Sequence, residues 1–112
     1  MHEQYLTYTV LQVHQCGLDV TTVAMAHIYF ETVVQCKAVC KSNRKPYAAA
    51  CLTLAQKFNT SDKPSVTAAR VRRLFKRLEE TFRISHRDIV QARNWVQCHC
   101  IQLLPIGLSV TL

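Results

Sequence analysis

The stretch Tyr47-Ala-Ala-Ala-Cys-Leu-Thr-Leu-Ala-Gln-Lys-Phe58 carries no charge before Lys57. Alanine has the highest helix propensity of any residue, so the run predicts a helix. It is apolar on nearly every side, and a helix of that kind is surrounded by others rather than laid on a surface. Its small side chains let those neighbours approach closely. Just upstream, Val20-Thr-Thr-Val-Ala-Met-Ala-His-Ile-Tyr-Phe-Glu-Thr-Val-Val34 places Val23, Ala26, Phe30 and Val33 at spacings of three and four. That is the period of a helix with one buried face. Asp19 is placed to cap it. Between the two lies a basic turn, Cys36 to Arg44, with Ser42 or Asn43 available as the next cap and Pro46 tolerated in the first turn.

Composition points the same way. In 112 residues about half are hydrophobic, with two glycines and three prolines, which fits one compact helical domain and argues against disorder. A net charge of +7 raises the possibility of a nucleic-acid partner. No groove-reading motif or interleaved aromatics accompany it, so a solvated basic face on a protein-binding module is the stronger expectation. Six cysteines without an opening secretory signal point to a reduced, intracellular protein of nucleus or cytoplasm. The uncharged tail, residues 94–112, is interrupted by Asn94, His99, Pro105 and Gly107, so no membrane span is expected there.

The remaining chain reads as follows. Met1 to Gly17 alternates like a strand over Leu6 to Val13, but a lone strand has nothing to pair with, and a short helix competes with it. Asn59 to Pro64 is a loop by composition. From Ser65 a further helix follows, with Val71, Leu74, Phe75, Leu78 and Phe82 on one stripe and Arg70, Arg73 and Arg77 together on another. The basic stripe is either the wet face of an amphipathic helix or a face for an acidic partner. Ser85-His-Arg-Asp88 opens a last helix as a capping box, with Ile89, Val90, Ala92, Val96 and Cys100 as its buried face.

Chemistry is sparse. Cys36 and Cys40 lie four apart, but the second group of soft ligands is the immediate run Cys98-His99-Cys100, whose side chains diverge on a helix. No metal and no cofactor are expected. There is no Gly-rich phosphate loop, Gly-x-Ser-x-Gly turn or His-Glu-x-x-His pair. His27 sits among apolar residues, and Cys51 has no cation nearby in sequence to activate it. No catalytic residue is assigned, and the chain is not expected to be an enzyme.

Ala24-Met-Ala-His-Ile-Tyr-Phe-Glu31, Asn43-Arg-Lys45 and Ala48-Ala-Ala-Cys-Leu-Thr-Leu-Ala-Gln-Lys-Phe58 together resemble the second and third helices of a cyclin box. Within that superfamily the chain looks most like the Cables group, cyclin-like adaptors of cyclin-dependent and Abl-type kinases. The resemblance spans residues 16–93, is densest up to Phe58, and fades beyond Arg93. It implies an all-α bundle of about five helices around a buried central one, in a single domain over residues 1–112. It tips the opening segment toward a helix. The tail departs from the long apolar fifth helix of the family, from which a C-terminally shortened domain is expected.

The resemblance also implies a function: a non-enzymatic adaptor binding a cyclin-dependent kinase, and an Abl-type kinase, in control of the cell cycle and cell division. Its alternative is a basic nucleic-acid or transcription-type module of the same fold. In cyclin boxes a lysine ending the third helix and a glutamate in the fifth help hold the kinase. Lys57, beside Phe58, matches the lysine, and Arg93 stands where the glutamate is expected, reversing the charge. Two exposed cations at close range repel by about 1 kcal/mol or less, so the fold survives the change. Lys57 has a plainer role open to it as well, since a cation near a helix C-terminus is favoured by the backbone dipole.

Overall fold

The structure, a computed structural model, describes residues 20–59 and 63–100. Four α-helices make up this part: α1 (Val20–Gln35), α2 (Arg44–Phe58), α3 (Pro64–Phe82) and α4 (His86–His99). The all-α expectation holds, with four helices among the described residues rather than about five. The opening segment, the Asp19 cap and the tail beyond Cys100 lie outside them.

The alanine-rich α2 is the centre. Every residue from Ala48 to Gln56 is buried, and α1, α3 and α4 each pack against it. The buried hydroxyl of Thr53 donates to Ala50 O at 2.9 Å, so this polar atom costs little inside the core. The helix begins three residues before Tyr47, at Arg44, which places Pro46 in the first turn, where its missing N–H breaks no helical bond. Asn43 does occupy the N-cap position, but its side chain does not cap. Instead its amide group turns back into the connection, accepting from Cys40 N at 2.7 Å and donating to Ala38 O at 3.0 Å. The competing hydrogen bonds of the turn win over the helix end. Lys37, with φ of 60°, makes the left-handed step that lets the chain leave α1.

The buried face of α1 is rotated from the one read in the sequence. Ala26, Phe30 and Val33 point inward as expected, whereas Val23 is half-buried and Thr22, Met25 and Tyr29 complete the stripe. Thr22 faces inward because it meets the end of α2: Asn59 Nδ2 donates to Thr22 Oγ1 at 3.1 Å, joining residues far apart in the chain.

On α3, Leu74, Phe75, Leu78 and Phe82 are buried and Val71 half-buried, and Pro64 rather than Ser65 opens the helix. Arg83, left-handed at φ 54°, ends it. Ser85 then caps α4 as the sequence indicates, its Oγ accepting from Asp88 N at 3.1 Å. Ile89, Ala92, Val96 and Cys100 face the core from α4, with Val90 half-buried. Trp95 meets Tyr47 edge-on, centroids 5.8 Å apart, and so ties α4 to the first turn of α2. No described helix is long and apolar enough to cross a membrane.

Candidate partner-binding groove

Where α2 emerges from its sheath, the ends of α2 and the flanks of α3 and α4 enclose an open groove of about 750 Å³. The first charge after the buried run, Lys57, stands at its edge because the chain must regain solvent there. Its ammonium lies 5.5 Å from the ring centroid of Phe58, a half-buried neighbour. The apolar floor comes from Ala68, Val71 and Phe75 on α3 and Val90 on α4. Val71 and Val90 are the half-buried shoulders of stripes whose central residues are spent on the core, Ala68 is exposed, and Phe75 is a core residue whose edge the groove reaches.

Charge is unevenly distributed around this floor. Lys57, Arg72 and Arg93 are the strong cations, and Glu79 is the carboxylate. Glu79 Oε2 lies 3.6 Å from His86 Nδ1, so the acid faces α4, and it is paired whenever the imidazole is protonated. The His86 ring also packs on Phe75, centroids 4.7 Å apart. Arg93 reaches into the groove with its guanidinium carbon 5.2 Å from the Phe75 centroid, a cation–π arrangement. Its Nε is buried and has no hydrogen-bond partner. Burial pulls the guanidinium below its ordinary value, the sign of a cation taken partly out of water.

No protein-family model and no solved structure matches the chain. Among curated proteins, human CDK5 and ABL1 enzyme substrate 2 is 41% identical over 76 residues, covering 68% of this chain and 15% of that protein. Human CDK5 and ABL1 enzyme substrate 1 is 40% identical over 75 residues, covering 67% of this chain and 11% of that one. The mouse forms match at 38% and 37%. This chain is a homologue of the Cables family. It spans 15% or less of the length of these relatives.

In this Cables homologue the structure brings together two of the residues singled out from sequence. Lys57 and Arg93, on α2 and α4, line the same groove. Phe58 is next to it without lining it. Arg70, Arg73 and Arg77 lie elsewhere. At the helical period they are turned roughly 100 to 160° around α3 from Arg72, the arginine of that helix that reaches the groove. Arg72, Glu79 and His86 escaped the sequence reading. The signal was present in the ridge Ala68, Arg72, Phe75 and Glu79, whose spacings of four, three and four follow the edge of the apolar stripe and share Phe75 with it.

The thiols are arranged differently from the ligand pairs considered in sequence. Cys36 meets Cys100 across the fold, sulfur to sulfur 3.4 Å, rather than Cys40. No group of three potential metal ligands converges among the described residues. Burial raises Cys51 well above a normal thiol, with nearby Cys100 adding to the effect. Burial also pushes Cys100 up to about 12, helped by its contact with Cys36. Both are protonated and inert at neutral pH. His27 is half-exposed on α1, away from the groove.

Proposed function

We propose that this chain is a non-enzymatic interaction module that seats a protein kinase of the cyclin-dependent class in the groove between α2, α3 and α4. The observation that carries the reading is the position of Lys57 and Arg93. Far apart in sequence, they border one apolar groove, Lys57 matching the lysine of the cyclin-box resemblance and Arg93 departing from its glutamate by a reversed charge. The names of the homologues support it: both are called substrates of CDK5 and ABL1. The proposal extends to an adaptor role in cell-cycle and division control, to an Abl-type kinase as a further partner, and to a nuclear or cytoplasmic location.

Capture of purified CDK5 and of ABL1 by the full chain tests it. Lys57→Glu is expected to weaken capture about tenfold or more, the scale of a single interface hot spot. Arg73→Glu, outside the groove, is expected to leave it within about twofold, as for a charge away from the contact. Undiminished capture by the Lys57 variant, or none by the unaltered chain, refutes the proposal.

A further inference from the structure

The groove is a cationic site with an apolar floor, and its charges are not balanced from within. Three strong cations, Lys57, Arg72 and Arg93, face one carboxylate, and that carboxylate is directed at His86. Arg93 is the most constrained of the three. Its guanidinium is held over Phe75, while its Nε is buried without an acceptor. Arg93 as a whole is only half-buried, so the rest of its guanidinium, outside the enclosed Nε, is what an arriving acceptor meets. Arginine presents its donors in a fixed planar fork that matches a carboxylate.

We infer that the groove takes an acidic, amphipathic peptide segment whose carboxylate pairs with Arg93 while its apolar side chains rest on Ala68, Val71 and Val90. The inference rests on the groove being the partner site proposed above and adds the chemistry of what enters it. Charge complementarity selects an acidic segment over a basic one, because a basic side chain would meet three like charges at short range. The floor selects a peptide over a nucleic-acid backbone, since a phosphate chain leaves the apolar surface of Ala68, Val71 and Val90 uncovered. Lys57 and Arg72, at the edges, speed the encounter and set its orientation, and Arg93 holds the complex once formed.

Panning a random twelve-residue peptide library against the full chain tests this without presuming a sequence. Enriched peptides are expected to carry Asp or Glu beside large apolar residues. Their affinity is expected to fall about tenfold or more with Arg93→Gln, as for a desolvated charge pair. Arg72→Gln, an exposed change that leaves the core intact, is expected to weaken binding about threefold, chiefly through the association rate. Arg73→Gln is the control and is expected to change nothing. Neutral or basic enriched peptides, no enrichment, or acidic peptides indifferent to both Arg93→Gln and Arg72→Gln each overturn the inference. So does a 20-mer DNA strand that displaces the peptides from the groove. The outcome is separable from that of kinase capture. Acidic peptides bound in an Arg93-dependent way without any kinase captured sink the kinase proposal alone, and a kinase whose capture depends on Lys57, with no acidic peptides enriched, sinks the acidic occupant alone.

Discussion

At Cys40 the thiol is exposed and lies 3.0 Å from the Ser42 hydroxyl. That contact, followed by the backbone amides of Ser42 and Asn43, draws it below the ordinary thiol value. Cys51 sits in the middle of α2 with no exposed surface, and burial keeps it protonated. Since the thiolate is the nucleophile, the two differ both in access and in charge state. Among the described cysteines, iodoacetamide at pH 8 is therefore expected to label Cys40 first and Cys51 last in the folded protein, with exposed Cys98 between them. Peptide mass spectrometry of a time course checks the order, and Cys51 keeping pace with Cys40 would refute the burial argument. The same residue scale explains why Arg93 was legible as an alignment oddity and not as an anchor. Its charge is written in the sequence, but the Phe75 ring beneath it comes from another helix.

For the helices, the decisive property of α2 is that it has no wet face along Ala48 to Gln56. Its small residues set how closely α1, α3 and α4 approach, and added volume has nowhere to go. Ala50→Leu is thus expected to destabilise by about 1–3 kcal/mol through overpacking, although leucine is nearly as good a helix former. Urea unfolding followed by circular dichroism measures it, and an unchanged midpoint would mean that α2 has room around it. Element identity was readable from such runs, whereas details at the ends were not. Asn43 has the chemistry of a cap, yet spends its side chain on Cys40 and Ala38. Val23 fits the helical period of α1, yet the inward stripe passes through Thr22 and Tyr29. In both cases the choice depends on a neighbouring segment competing for the same side chain or face.

For the whole molecule, burial of titratable groups makes stability depend on pH at the alkaline end. Cys51 and Cys100 rise from an ordinary 9.0, Cys100 to about 12, and Tyr29 rises from 10.0 to about 12, in each case chiefly by burial. The folded state holds these protons more tightly than the unfolded chain does. Their stabilising effect is complete below about pH 9 and is lost as pH climbs from there toward 12. The urea midpoint is expected to be flat from pH 7 to 8.5 and to fall above pH 9. Tyr29→Phe is expected to flatten part of that fall, and it removes a buried hydroxyl that has no hydrogen-bond partner. A midpoint that rises through this range would contradict the assignment.

By itself, the order of residues determined a helical protein built on an alanine-rich axis. Helical period, alanine propensity and the Ser85 cap are local properties, satisfied by side chains a turn or less apart. Only the tertiary structure decided which charges share a surface. Lys57, Arg72 and Arg93 come from three helices, and the rotation of α3 and α4 follows from their packing against α2. That is also why the Arg70, Arg73 and Arg77 stripe, plain in sequence, points away from the groove, and why Cys36 found Cys100. Packing fixes these angles through contacts between helices, and no local repeat encodes them.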